Sequence, residues 1–267
     1  MYFCGDELYQ IGNLSHSQMM GYILRSNNGL IVIDGGTYGE ADLIEKMLLN
    51  FGGYVNGWFL THAHFDHIQA ITEIISRHKI NIGCIYYNFP SIEKIFEIEK
   101  NEKIRCETVK RFSEVISNYS GKIQKPIENV QIECGGFAII PLTKPNLIAD
   151  NLNDTSIVYR VNTRGDSILF TGDLGEKEQN KLIENHPKEI ICPIVQMAHH
   201  GQNALNKTFY TYIKPKVCLW PTPDWLWDNL TPLGFDTGVY KTVKTRQWIS
   251  EIGSKNINSF GKVTLLK

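Results

Sequence analysis

The chain has 267 residues, with 42% hydrophobic and 21% charged side chains, the balance of an ordinary soluble globular protein. Basic and acidic residues number 27 and 28, so a net charge of −1 gives no electrostatic drive toward duplex nucleic acid. No apolar run approaches the roughly 18 residues of a membrane span, and Met1–Glu7 shows no basic segment followed by an apolar core, so neither a membrane partner nor a signal peptide is expected.

In chain order the first elements are extended. Glu7–Gly12 and Gly21–Arg25 read as strands, and the Asn27-Asn28-Gly29 turn leads into the apolar run Leu30–Ile33, closed by Asp34-Gly35-Gly36. A helix is expected over 40–50 and a strand over 55–60, ending at Thr61-His62. Helical spacing returns at 73–78 and strand character at 82–87. The segment 91–119 reads as one long helix whose charges form a solvated face. Strands follow at 136–142, 156–161, 167–170, 190–197 and 217–220, separated by helices in the last third, with a final helix over 242–252. Hairpins mixed with strand–helix alternation predict sheets with helices packed outside them. Without a repeat, a low-complexity tract or a Gly/Ser linker, residues 1–267 read as one domain.

Six cysteines, Cys4, Cys84, Cys106, Cys134, Cys192 and Cys218, form no CxxC pair. Cys84, Cys192 and Cys218 sit in apolar runs as reduced core thiols, and a cytoplasmic location is expected.

The chemistry concentrates at strand ends. Thr61-His62-Ala63-His64-Phe65-Asp66-His67 sets three histidines and an aspartate between a strand and a helix. In an extended segment His62 and His64 share a side, while Asp66 and His67 fall on the first helical turn and face a second point nearby. Imidazole and carboxylate are ligands for zinc, manganese or iron(II), so these residues predict a metal site. Asp173 emerges from the strand end at Thr171-Gly172, and His199-His200-Gly201 follows the strand at 190–197. Ligands gather beyond strand ends in open sheets, so the three points can converge.

HxHxDH, a later TGD and a still later HHG resemble the metallo-β-lactamase superfamily, over about Leu8–Trp220. The resemblance implies an α/β fold, an αββα sandwich of two mixed sheets with helices on the outer faces. Asp34 matches that superfamily's structural aspartate. Asn153-Asp154-Thr155-Ser156 together with His199-His200-Gly201 resembles the branch that holds the hydrolase domains of DNA-uptake (competence) proteins and phosphorylcholine esterase.

The resemblance further implies a metal-dependent hydrolase with two divalent ions, zinc first and manganese or iron as alternatives, sharing a hydroxide between them. His62 and His64 would hold the first ion, and Asp66 and His67 the second. Asp173 would bridge, and one of His199 and His200 would close the second site, His199 ahead of His200. Asp66 would orient the nucleophile, and with His199 as the ligand His200 would meet substrate or support a ligand from behind. Many members carry a further first-site histidine four residues before Ser156, where this chain has Leu152; Asn153, Asp154 or water would fill that place, and His78 and His186 read as surface residues. An aspartate at the TGD position goes with phosphoester hydrolases and thioesterases. A phosphodiester or other small-molecule substrate is expected ahead of a thioester or lactone, with nucleic acid not favoured and a degenerate binding module or an iron redox enzyme as rivals. Trp220, Trp225 and Trp227, with Pro221 and Pro223, open a segment at about 220–240 that reads either as a loop walling the active site or as core packing against the last helix.

Overall fold

A computed structural model describes residues 3–267; Met1 and Tyr2, part of the segment in which no leader is expected, lie outside the described residues. Among the described residues, no helix is long and apolar enough to cross a membrane.

Two seven-stranded sheets carry the structure. The first runs, edge to edge, through Thr264–Leu266, Glu7–Gln10, Gly21–Ser26, Gly29–Asp34, Gly57–Phe59, Cys84–Tyr86 and Lys122–Gln124. Its first four strands pair antiparallel and the remaining pairings are parallel. The second runs through Lys255–Asn258, Val217–Trp220, Ile194–Gln196, Ser167–Phe170, Tyr159–Asn162, Phe137–Pro141 and Ile132–Cys134. It is parallel through its first four strands and antiparallel beyond them.

Strand periodicity sorts the apolar side chains into three cores. Tyr22, Leu24, Ile31 and Ile33 point from the first sheet toward Phe137, Ile139, Tyr159, Val161, Ile168 and Phe170 of the second. Their alternates, Ile23 and Val32, turn outward under the helices Ala41–Asn50, Phe65–Arg77 and Lys103–Ser117. On the far side Val158, Leu169, Val195 and Cys218 meet Leu182, Phe209, Ile213 and Ile249 of three further helices. Because successive strand residues face opposite sides, continuous apolar strands bury both faces and demand a layer on each. The result is the expected αββα sandwich. Cross-sheet bonds close its mouth: Ile157 N–H donates to Thr61 O (3.0 Å) and Gln10 Nε2 to Trp220 O (2.7 Å).

Several expected elements are redrawn. The strand expected over 55–60 is two, Tyr54–Val55 and Gly57–Phe59, and the helix expected at 73–78 begins at Phe65. The single helix expected over 91–119 is broken into Ile92–Ile98 and Lys103–Ser117. The edge strands Lys122–Gln124, Ile132–Cys134, Lys255–Asn258 and Thr264–Leu266 were not expected from the sequence. His78 is exposed, but His186 is buried, with its Nε2 3.1 Å from Glu128 Oε1. It caps the helix Glu176–Asn185 from within, so it is not a surface residue. Cys84, Cys192 and Cys218 are buried and unpaired, as expected.

Trp220 and Trp227 pack edge to face at 5.1 Å, and both belong to the core that holds Ile249 of the last helix. These two rings therefore fill core. Trp225 instead stands beside Tyr240 and donates from Nε1 to His16 O.

Candidate metal centre

The centre lies where parallel strands of both sheets end. His64 takes extended backbone at the N-cap of helix Phe65–Arg77, so the chain turns from strand to helix within the motif. Asp66 in the first turn suits the positive end of the helix dipole. Backbone bonds from Gly35 N to His67 O (2.8 Å) and Met20 N to Asp66 O (3.0 Å) tie that turn to the first sheet.

Asp173 leaves the second sheet through a tight approach. Gly172 has φ +56°, and a Cβ there would stand 2.9 Å from Thr61 Cβ, so glycine is required both for the turn and for contact between the sheets. Ser156 Oγ receives Asp173 N–H at 3.2 Å.

His199 and His200 both adopt left-handed backbone, φ 48° and 55°, followed by Gly201 at 81°. Two such non-glycine residues in succession are costly and occur where surrounding structure holds them. The effect is to send the two rings in different directions. His200 is wholly buried, with Nε2 3.0 Å from Asp66 Oδ2 and 3.6 Å from Asp173 Oδ2. His199 leaves about a quarter of its side chain exposed, its Nε2 3.8 Å from Asp173 Oδ2 and 3.4 Å from Asn153 Nδ2.

Two sets of ligand-type atoms result: Asp66, His67, Asp173 and His200, and separately His62, His64 and Asp173. His62 Nε2 and His64 Nδ1 are 3.0 Å apart, and His62 Nε2 lies 3.8 Å from Asp173 Oδ2. His67 Nε2 lies 3.4 Å from Asp173 Oδ1 and 4.0 Å from Asp66 Oδ2. A tetrahedral ion with bonds of about 2.1 Å holds its ligand atoms roughly 3.4 Å apart, close to these separations. Among the expected residues, His62, His64, Asp66, His67 and Asp173 come together. Of the two histidines expected as alternatives, His200 stands in the second set and His199 in neither, because the left-handed pair points the second ring inward. Leu152 is fully buried in the first outer core, and Asp154 belongs to neither set.

Whether these residues fit a metal is tested by their unused atoms. His67 Nε2, His200 Nε2 and Asp173 Oδ1 are buried and make no well-aligned hydrogen bond, although His200 Nε2 and His67 Nε2 stand 3.0 and 3.4 Å from carboxylate oxygens, so these polar atoms crowd one point without satisfying one another. The opposite ring nitrogens are anchored. His67 Nδ1–H donates to Asp34 at 2.7 Å, His200 Nδ1–H to Pro221 O at 2.7 Å, and His62 Nδ1–H to Thr61 Oγ1 at 3.1 Å. Each bond leaves the Nε2 lone pair pointing inward, the arrangement that ligating histidines use. The donor set fits.

Burial and charge act against each other here. Burial opposes the charge on Asp173, but His67, His200 and His199 overcome it and hold the carboxyl well below its ordinary range. His67 is likewise pushed up against burial by Asp173, Asp34 and Asp66. Burial, aided by His67, holds His62 well below the usual imidazole value, and burial foremost brings His199 down to about 4.

One residue at the centre escapes sequence reasoning. Glu99 is buried, with Oε1 3.0 Å from His64 Nε2. It sits in the charge-rich stretch read as solvated, and nothing in its neighbours marks it.

The fold and the double ligand set define the class: a metal-hydrolase scaffold with its centre at the joined ends of two mixed sheets. The chain belongs to the metallo-beta-lactamase superfamily, whose family model matches residues 20–217. A search of curated proteins finds no match. Among solved structures it is similar to the metallo-beta-lactamase fold protein YhfI from Bacillus subtilis, at 14% identity and TM-score 0.59, with 98% of this chain and 99% of that one covered. It is also similar to CmlA, a diiron beta-hydroxylase from Streptomyces venezuelae, at 11% identity and TM-score 0.59, over 98% of this chain and 54% of that one. A diphosphatase from the PhnP family matches at 13% identity and TM-score 0.50, covering 98% and 97%.

Proposed function

We propose that the protein is a two-metal phosphodiesterase acting on a small phosphoester. The observation that carries the reading is the Asp173 carboxylate, which belongs to both sets of ligand-type atoms. A carboxylate shared by two sites holds cations close and adds negative charge between them, which suits displacement at phosphorus. His62, His64 and Asp173 would hold the first ion, and Asp66, His67, His200 and Asp173 the second. Neither set contains cysteine, and a donor set of imidazole and carboxylate suits zinc, with manganese and iron as alternatives. When bound, such a pair supplies Lewis acidity and water of lowered pKa.

The remaining work falls to the chain. Asp66, whose carboxyl stays below its ordinary range against burial because of His67 and His200, is an acceptor that orients the attacking water. His199 and Asn153, side by side at the edge of the centre, meet the substrate. The buried sheet ends keep bulk water from the reacting groups. The similarity to a PhnP-family diphosphatase supports a phosphoester substrate, and the sequence 153–156 with His199-His200-Gly201 supports the competence-protein and phosphorylcholine esterase branch. Six free cysteines support a reducing, cytoplasmic setting, and residues 1–267 are taken as one domain.

The test is metal content by mass spectrometry together with hydrolysis of bis-p-nitrophenyl phosphate after zinc or manganese loading. About two ions per chain and metal-dependent cleavage are expected. Cleavage of thioesters or lactones instead would replace the substrate class. Failure to take up any metal would make the centre a relic and the protein a binding module.

A further inference from the structure

The helix Ile92–Ile98 ends at Glu99, and after a short turn the chain re-enters helix at Lys103. The turn is fastened through Glu99 itself: its carbonyl accepts Glu102 N–H at 2.7 Å and Cys106 Sγ–H at 3.4 Å. This break drives the Glu99 side chain inward against His64, while its second oxygen accepts from Arg105 NH1 at 2.9 Å. Arg105 is about one-third exposed and its NH1 also lies 3.4 Å from His64 Nε2. Taking a carboxylate out of water costs several kcal/mol unless its partners repay it.

Fastening the helix pair does not account for that cost. Ile95, Val109, Phe112, Val115 and Ile116 already bury the pair in the first outer core. The asymmetry of the centre does. The second set has four ligand-type residues and the first only three. His64 is also the one motif histidine whose inward atom is Nδ1, so its anchor must meet Nε2 and come from the far side of the ring.

We propose that Glu99 is a positioning residue for the first metal site, where its carboxylate accepts the Nε2–H of His64. That bond fixes the tautomer that leaves Nδ1 free for the ion. The adjacent negative charge strengthens His64 as a donor to a cation, so that a site short of one protein ligand still fills. Arg105 holds the carboxylate on the outer side of the ring and keeps it from swinging inward. The inference rests on the two-metal reading above.

The test titrates zinc into the full-length chain against a competing chelator, for wild type, Glu99→Gln and Arg105→Met. Glutamine keeps an acceptor oxygen of the same shape, so the change isolates the charge. Glu99→Gln is expected to weaken the looser of the two zinc-binding steps by about 10–100-fold and leave the tighter one unchanged. Arg105→Met, which keeps the carboxylate but loosens its hold, is expected to weaken the looser step by less, about fivefold, and to leave the tighter one unchanged. Equal zinc binding by Glu99→Gln and wild type overturns the proposal. So does parallel weakening of both steps in both variants with a fall in melting temperature, since that marks a fastening role. The tautomer is read on the wild type by nitrogen-15 NMR of zinc-loaded, histidine-labelled protein, which needs no variant to fold. A proton on His64 Nε2 supports the proposal, and one on Nδ1 overturns it. A wild type that binds no zinc overturns the two-metal reading and this inference together, whereas two zincs with an unaffected Glu99→Gln remove only the inference.

Discussion

The two halves of the centre are built differently. The second half is supplied by backbone that is pinned on every side: the first turn of helix Phe65–Arg77, the tight Gly172 turn and the left-handed His199-His200-Gly201. Its ligand-type residues number four, and the anchors behind them, Asp34 and the Pro221 carbonyl, belong to the sheet ends. The first half rests on two histidines of an extended segment plus the shared Asp173, and its one charged anchor comes from a helix break outside the sheets. A site with more ligands on stiffer supports loses less freedom when it closes on an ion. The second half should therefore fill first and hold longer, and substrate should find its coordination space at the first.

The largest effect expected is from Asp173→Ala, which takes a ligand from both halves. Zinc content should fall from about two toward zero and turnover by about a thousandfold or more; a variant that keeps both ions would break the idea of a shared carboxylate. Next comes the histidine pair. His200→Ala should lose the tighter zinc, while His199→Ala should keep both and raise KM, as steady-state kinetics on loaded enzyme would show. The reverse pattern would restore His199 as the ligand. Asp34→Ala removes the acceptor of three bonds, from Thr61 N–H (2.8 Å), Thr61 Oγ1 (2.8 Å) and His67 Nδ1 (2.7 Å). With these donors left buried, a loss of about 3 kcal/mol is expected in urea unfolding. The tighter zinc step should weaken with it, since His67 loses its anchor.

What could be read from the sequence follows from how locally each feature is encoded. His62, His64, Asp66 and His67 lie within six residues at a strand end, and Asp173 follows three residues after a strand of four buried residues, so their types and spacing announce the chemistry without tertiary information. The central strands are legible for the same reason, being continuous apolar runs. The choice between His199 and His200 was not, because it depends on two residues in a backbone conformation that neither favours. Glu99 was hidden by its setting: the break at 99–102 carries neither Gly nor Pro, so helical periodicity runs past it. Lys122-Ile123-Gln124 shows why edge strands escaped, since all three residues are exposed and leave no burial pattern to read. His186 fell on the wrong side because a polar helix end gives no sign of the carboxylate, Glu128, that waits behind it.

The smallest effect sharpens the comparison from the side of the first half. Cys106 lies under the Glu99 turn, and burial first, then the Glu99 charge, raises its thiol above the ordinary range. A raised value means less thiolate at neutral pH, so alkylation of Cys106 should be slow at pH 7 and accelerate as pH climbs toward that value. Removing the charge with Glu99→Gln eases ionisation of the thiol and should speed labelling at fixed pH. Peptide mapping of iodoacetamide adducts reads this at single residues, with buried Cys218, held up at about 12 chiefly by burial, as the slow internal reference. Equal Cys106 rates in the two proteins would mean that the Glu99 charge is spent wholly on His64 and Arg105. Acceleration at Cys106 together with a weaker first zinc step would mean that one carboxylate sets the electrostatics of the whole first half.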